Sequence, residues 1–426
     1  MLLNLKIKNF RSIKDEINLD LQATSDSTMK SSAVIEKDKV AILKSAGIYG
    51  SNASGKTNTL KAFLVMRAMV IESLLRSTLP IDLPNEPFKL SNTTLSLPSF
   101  FEVTFLLEDE IFEYGFEIDK KRIHSEWLNQ RKGNKELFRR DLQELTCKNK
   151  NYFPEASESS IKDTHEKVLF LTHLAANTKS EISKKIIKWF QDINIILGAH
   201  RGDALNFSFG QFMTNSELSK DMKDFIVKAD FGIVDIQASE KLISLKEVQN
   251  MPDKFKEMFF NQASHVAERK LKFLHQKYDE NGEKLEPESF DFFTEESDGT
   301  QQVFALSAPI IDALKNGKIL FVDEINASMH PILSQYLVSL FNSKERNPNN
   351  AQLIFTAHDV TVMDKDLLRR DQIYIAQKNK NGATELASLA DISERKGVDY
   401  AKRYLEGRYD GIPYISDFED LKFSRQ

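Results

Sequence analysis

Hydrophobic and polar residues alternate from the start of the chain. Leu3, Leu5 and Ile7 are interleaved with Asn4, Lys6 and Lys8, and Ile17-Asn18-Leu19-Asp20-Leu21 repeats the pattern. A period of two belongs to half-buried strands, so a hairpin-like pair is predicted around the turn Asn9-Phe10-Arg11-Ser12. Residues 22–32 are mostly polar, and Thr24-Ser25-Asp26-Ser27 with Ser31-Ser32 predicts a mobile loop. Ala46-Gly47-Ile48-Tyr49 predicts a short buried strand, and residues 57–66 a helix. Pro80, Pro84 and Pro87 then punctuate the chain. Residues 100–107 and 111–118 predict two strands joined at Glu108-Asp109-Glu110, and Ile123–Arg131 continues the β pattern. From 155 to 270 the spacing changes. Ile182, Ile186, Ile187, Phe190 and Ile193 recur at helical intervals, which predicts a mostly helical insertion broken at Phe231-Gly232-Ile233. Apolar strands return at 318–322 and 352–357, and Ile373-Tyr374-Ile375-Ala376 predicts a closing strand. This order predicts an α/β fold: a mixed-sheet core, an antiparallel β-subdomain and a helical insertion. The expected divisions are an N-terminal lobe at 1–150, the insertion at 151–275 and a C-terminal lobe at 276–426.

Composition narrows the class. At 426 residues the chain is long for one core and predicts two or three lobes. A net charge of −5 gives no global attraction to nucleic acid, and a local basic groove remains compatible with it. Cys147 is the only cysteine, which excludes an intramolecular disulfide and a multi-cysteine metal site. No apolar run reaches the ~18 residues of a membrane span, and Met1–Lys8 reads as a strand without a signal-peptide core. A cytoplasmic protein without a membrane partner is expected. His165, His173, His200, His265 and His275 lack metal-ligand spacing and are expected to be structural or surface residues. Lys184, Lys185 and Lys188 crowd one helix; a solvated face is expected, with nucleic-acid contact as the minority alternative.

The chemistry begins at Gly50-Ser51-Asn52-Ala53-Ser54-Gly55-Lys56-Thr57, which fits G-x-x-x-x-G-K-[ST] between a strand and a helix. Its glycines let the backbone curl so that successive N–H groups face a phosphate. The following helix, with Asn58 in its first turn, adds a favourable dipole. Lys56 is expected to reach the β- and γ-phosphates and the Thr57 hydroxyl to ligate Mg²⁺. Gly50 to Asn58 is therefore the candidate ATP-binding stretch. The strand at 318–322 ends in Asp323-Glu324. Asp323 would share Mg²⁺ with Thr57, and Glu324 would orient or polarise an attacking water. The strand at 352–357 ends at His358, a candidate γ-phosphate contact, because ligands bind at the carboxyl ends of strands in open α/β sheets. Arg11 fits a place near the nucleotide or a solvated turn equally well. Ser297-Asp298-Gly299-Thr300, ahead of a helix, fits either an ordinary cap at Ser297 or a turn that binds phosphate from a second molecule. ATP and Mg²⁺ are the cofactors expected.

In order, Asn9-Phe10-Arg11-Ser12, the phosphate loop, Ser297–Thr300, Ile319–Glu324 and Thr356-Ala357-His358 resemble the ATP-binding-cassette (ABC) ATPases of the RecF and SMC type. The set is more closely similar to compact AAA-family ATP-binding proteins of bacterial defence loci, the group of the RloA-like and AbiL-like proteins and the ATPase of the PARIS system. Pro87-Phe88-Lys89-Leu90, Glu295–Thr300, Ala327–Pro331, Arg369–Ile373 and Tyr404–Pro413 look like that group's recurring phrases. The resemblance covers nearly the whole chain and is weakest through the helical insertion. It implies a P-loop NTPase fold of the ABC-ATPase type. It also implies a homodimer or higher homo-oligomer in which Lys56 and Asp323 of one subunit face Ser297 and Gly299 of another across ATP, with Ser328 near the seam. The wider family's Ser-Gly-Gly-Gln signature is altered here to Ser297-Asp298-Gly299-Thr300. Gln130 is the candidate for the glutamine that follows the first lobe's strands in transport ATPases.

The function implied is an ATP-hydrolysing switch whose nucleotide-dependent assembly controls a partner effector in anti-phage defence. OLD-family nucleases resemble this core but add a C-terminal Toprim-type nuclease domain. Only 68 residues, 359–426, follow His358 here, and Asp364-Lys365-Asp366 lies in a polar stretch, so any nuclease is expected on a separate polypeptide. The alternative is an SMC/RecF-like DNA-binding ATPase of repair or maintenance, with the insertion as a reduced arm; no sustained heptads run through it. The ATPase subunit of a membrane transporter shares the core motifs, but the opening strand, the Asn9–Ser12 turn and the insertion speak against it. Composite sites predict slow, switch-like hydrolysis.

Overall fold

A computed structural model describes residues 1–37, 40–76, 80–146, 153–198, 201–214, 216–229, 232–244, 265–394 and 397–412; Cys147, His200, Phe231 and Pro413 lie outside these. The chain opens with β1 (Leu2–Lys8), β2 (Ile17–Asp20), α1 (Lys30–Ala33), β3 (Val34–Lys37), β4 (Val40–Leu43), β5 (Ser45–Tyr49) and α2 (Lys56–Arg76). Five strands follow: β6 (Ser99–Leu107), β7 (Glu110–Ile118), β8 (Ile123–Gln130), β9 (Lys135–Asp141) and β10 (Glu144–Thr146). Next come α3 (Glu158–Lys162), α4 (Phe170–Asn177), α5 (Glu181–Gln191), β11 (Asn194–Ile196), α6 (Arg201–Met213) and α7 (Glu217–Val227). Then follow β12 (Ile233–Ser244), β13 (His265–His275), β14 (Glu288–Asp291), α8 (Asp298–Asn316), β15 (Ile319–Val322) and α9 (Pro331–Phe341). The chain closes with β16 (Gln352–Thr356), β17 (Ile373–Lys378), β18 (Thr384–Ser388) and α10 (Tyr400–Leu405). Two compact units result. One comprises Met1–Gly198, Ala313–Asn326 and Ser334–Gln426; the other comprises Ala199–Asp312 and Ala327–Leu333.

The first unit holds two sheets. The alternating segments build an antiparallel sheet of order β10-β9-β8-β7-β6-β1-β2. In β1, Leu5 and Ile7 are buried, while Lys6 points outward to Glu102 of β6 at 2.8 Å. The second sheet has the order β11-β15-β16-β5-β17-β18, parallel through β17 and antiparallel at the β18 edge. Strands covered on both faces read as continuous apolar runs rather than alternations, and every residue of β5, β15 and β16 is buried. Helix α2 carries the shared core. Phe63 stacks on Phe321 of β15 with ring centroids 4.5 Å apart, and Phe105 of β6 stacks on Trp189 of α5 at 4.2 Å. Each fully buried ring of this kind contributes about 1.5–3 kcal/mol, so the α2 face that follows the phosphate loop is firmly seated.

Two expectations are corrected. Residues 22–32 are anchored rather than mobile. The Thr24 amide and hydroxyl both donate to Asp371 Oδ2 at 2.8 Å, and the buried Arg369 guanidinium donates to the carbonyls of Asp26, at 2.7 Å, and Thr28. Those partners lie more than 340 residues along the chain, beyond the reach of local composition. The stretch 151–275 contains α3 to α7 but also β11 and the long antiparallel pair β12–β13, in register from Asp235 opposite Leu274 to Ser244 opposite His265, with a register shift between Ile233 and Asp235. Its strands carry their own alternation: Ile236, Leu271 and Phe273 are buried and pack with Phe209, Met222, Phe292 and Phe304 as the second unit's core. Helical spacing averaged over a wide window hid that period of two.

Candidate active site

The phosphate loop follows β5 in the middle of the parallel sheet and feeds directly into α2. Its shape is held by its own lysine and by residues from far along the chain. Lys56 Nζ donates to the carbonyls of Gly50 at 2.7 Å and Ser51 at 2.9 Å, closing the loop on itself. Burial lowers the Lys56 ammonium to about 8, against the pull of Asp323 and Glu324 in the opposite direction. Gly50 has φ 148°, and a Cβ there would lie 2.1 Å from the Ala376 carbonyl oxygen. Gly55 has φ 111°, and its Cβ would lie 2.1 Å from Thr384 Oγ1. Thr384 Oγ1 donates to the Ser54 carbonyl at 2.8 Å and lies 2.8 Å from Ser12 Oγ, which accepts from Asn58 Nδ2 at 2.7 Å. The loop is thus gripped at Ser54-Gly55 by β18 and by the opening turn of the chain.

The acidic strand meets the loop from the neighbouring side. Asp323 Oδ1 accepts from Thr57 Oγ1 at 3.0 Å and from Thr356 Oγ1 at 2.7 Å, and the Gly198 amide approaches Oδ2 at 3.4 Å. Thr356 Oγ1 also accepts from the Glu324 amide at 2.8 Å. One buried hydroxyl therefore fixes both acids. It helps hold Glu324 at φ 53°, a left-handed conformation unusual for a residue with a Cβ. The Glu324 side chain is partly exposed, with Oε1 3.4 Å from His358 Nε2, while His358 Nδ1 lies 3.3 Å from Lys56 Nζ. Lys56, Thr57, Asp323, Glu324 and His358 form one connected group at the carboxyl ends of β5, β15 and β16.

The donor set suits a hard divalent cation. Thr57 and Asp323 offer two oxygens, and no cluster of three or more His, Cys, Asp or Glu able to hold a metal occurs among the described residues. Mg²⁺ takes one or two protein oxygens and fills its octahedron with phosphate and water. The loop also keeps a spare polar atom: Ser54 Oγ is buried without a hydrogen-bond partner among the described residues.

Other candidates fall elsewhere. Arg11 bonds Glu86 Oε1 at 2.8 Å, and its amide donates to the Glu86 carbonyl at 2.6 Å; in this turn it is Ser12 that touches the loop's network. Asn58 turns its amide to Ser12. Gln130 ends β8 with Nε2 bonded to Glu110 at 3.0 Å, whereas the strand beside β15 is β11, which leads to Gly198 at the acids. Asp364 is a turn residue whose Oδ1 accepts from the Asp366 amide at 2.7 Å. In the second unit Ser297 precedes α8, its Oγ accepting from the Thr300 amide at 3.2 Å and lying 2.9 Å from Thr300 Oγ1. Gly299 passes so close to the Ser328 carbonyl that a Cβ would lie 2.8 Å from its oxygen. Thr384 and Gly198 have no place among the sequence motifs, and Thr356 stands in the Thr356-Ala357-His358 motif without an assigned role. Thr356 alone carried a signal, being the last residue of the strand that leads to His358.

Residues 45–364 match the family described as "AAA domain, putative AbiEii toxin, Type IV TA system". The chain belongs to this family. It is a nucleotide-binding protein of the mixed α/β P-loop class, and the AAA match takes in the phosphate loop, the Ser297–Thr300 turn, the acids and His358. No curated protein matches it. Solved structures similar to it include the SmcHead bound to the C-winged helix domain of ScpA, at 15% identity over 95% of this chain and 99% of that one, TM-score 0.42. They also include the recombination mediator protein RecF of the RecFOR pathway. Its ATPrS form is 10% identical over 91% of this chain and 98% of that one, TM-score 0.36; its ATP form is 13% identical over 91% and 97%, TM-score 0.37. No helix of the described residues is long and apolar enough to cross a membrane.

Proposed function

We propose that this AAA-family protein is a Mg²⁺-dependent ATPase that works as a nucleotide-controlled switch between copies of itself. The observation that carries the reading is the connected group Lys56–His358–Glu324 and Thr57–Asp323–Thr356, drawn from three adjacent parallel strands. Lys56 neutralises the phosphates. Thr57 and Asp323 would hold Mg²⁺, which would supply positive charge against the phosphates. The Glu324 carboxylate orients a water and accepts its proton, and His358 steadies that carboxylate. Ser297 and Gly299 of a second copy close the site, so that ATP links two chains and its hydrolysis parts them. The toxin–antitoxin wording of the family description, together with the resemblance to RloA-like, AbiL-like and PARIS ATPases, supports a role in bacterial defence that controls a separate effector.

The test is phosphate release from Mg²⁺–ATP by the wild type and Glu324→Gln, with ATP affinity measured alongside. Glu324→Gln should lose on the order of 10²–10⁴ in turnover, the contribution of a positioned base, while still binding ATP. Equal rates in the two proteins would remove Glu324 from the chemistry.

A further inference from the structure

The AAA match ends at residue 364, yet the phosphate loop is bonded to residues well beyond it. The Ser51 amide donates to the Gly411 carbonyl at 2.6 Å. The same carbonyl accepts from Tyr404 Oη at 2.8 Å, and both partners are buried. Gly411 has φ 71°, and its Cα is pressed against Ile375: a Cβ would lie 2.6 Å from Ile375 Cγ2 and 3.5 Å from both the Ala376 oxygen and the Tyr404 ring. Tyr400, Tyr404 and Tyr409 are buried, so the segment from α10 to Gly411 is seated by three rings. Helix α10 also packs on the turn Val360–Val362, directly after His358.

We infer that the segment Asp399–Ile412 is part of the nucleotide site, a clasp that sets the phosphate loop in its binding shape through the Gly411 carbonyl. The inference rests on the ATP reading above. Both backbone groups of Ser51 are fixed: its N–H donates to the Gly411 carbonyl and its carbonyl accepts from Lys56 Nζ. Tyr404 aims the carbonyl that fixes the first bond, and so acts on Lys56 through the loop. Pre-organising a binding loop raises affinity by removing the ordering cost from the binding step. Tyr404 and Gly411 are positioning residues, and their loss is expected to weaken nucleotide binding while leaving the turnover of bound ATP nearly intact.

The experiment uses the full chain as wild type, Tyr404→Phe, Gly411→Ala and Lys56→Ala. ATP affinity is measured by calorimetry, kcat and KM by phosphate release, and amide exchange of the loop peptide by mass spectrometry without nucleotide. Tyr404→Phe removes one hydroxyl and keeps the ring. It should raise the ATP Kd and KM about threefold to tenfold, the range of one net hydrogen bond, with kcat within twofold. Gly411→Ala should exceed tenfold. In both, exchange around Ser51 should quicken without nucleotide. Unchanged affinity and unchanged exchange in Tyr404→Phe would overturn the inference, and this variant decides the matter if Gly411→Ala does not fold. If the wild type binds ATP no better than Lys56→Ala, the ATP reading fails instead; the exchange data then still decide whether the clasp shapes the loop.

Discussion

The phosphate-loop region and the Ser297–Thr300 turn are built in opposite ways. Around the loop, bonds join residues far apart in the chain: Thr57 to Asp323, Lys56 to His358, Ser54 to Thr384 and Ser51 to Gly411. At the turn, Ser297 bonds Thr300, three residues on, and Gly299 rests against Ser328. The loop's geometry is therefore a product of the whole first unit, and distant substitutions should disturb it. The turn is a helix cap whose own hydrogen bonds span three residues, and substitutions there should leave the first unit's site intact. One region is tied together across the first unit; the other is a local cap, the part that the proposed switch assigns to a neighbouring copy.

The hardest way to break that contrast is at Lys56. Lys56→Ala removes the charge that the proposed mechanism sets against the phosphates and the bonds that close the loop. ATP affinity should fall on the order of 10²–10³-fold, comparable with deleting a pre-organised electrostatic contact, as calorimetry would show.

A pH series is gentler and separates charge from shape. Burial sets the Lys56 ammonium near 8, below its usual 10.5. Above about pH 8 the free protein loses that proton, and ATP affinity should weaken by up to tenfold per pH unit. Lys56→Arg, which stays charged, should flatten the profile. The stability consequence has the opposite sense. The folded state binds this proton less tightly than the unfolded state does, so the Lys56 contribution disfavours folding below pH 8 and is relieved as pH rises from about 8 to 10.5.

Smaller still is Thr356→Val, which keeps the shape of the side chain and removes the hydroxyl shared by Asp323 and the Glu324 amide. Leaving those groups unpaired should cost about 1–3 kcal/mol of stability and raise the Mg²⁺ concentration needed for turnover. Thr356→Ser should restore both, readable as Tm and as a Mg²⁺ titration.

The same contrast explains what the sequence disclosed. Lys56, Thr57, Asp323, Glu324 and His358 lie in short patterns whose neighbours are sequence neighbours, and the parallel strands that carry them are plain apolar runs. Ser297 as a helix cap was legible for the same reason. Thr384 and Gly198 carry no local pattern, and Gly411 lies in the recurring phrase Tyr404–Pro413 without any sign of what it touches; each matters because the fold brings it to the loop or to the acids. The polar stretch at 22–32 looked loose because its anchors, Arg369 and Asp371, are remote. Gln130 ends β8, whereas the pairing of β11 with β15 sets a different strand beside the acids. The mostly helical expectation for 151–275 misses the strands Ile233–Ser244 and His265–His275, whose period of two a wide window blurs.

The most direct test of the account is mass in solution by light scattering, for Glu324→Gln with and without Mg²⁺–ATP, beside the double variant that adds Ser297→Ala. The account predicts that Glu324→Gln grows to a dimer or larger assembly only with nucleotide. It predicts that the double variant binds ATP as tightly yet does not grow. A mass that ignores ATP, or growth that survives Ser297→Ala, would contradict the claim that the Ser297–Thr300 turn of one copy closes the site of another.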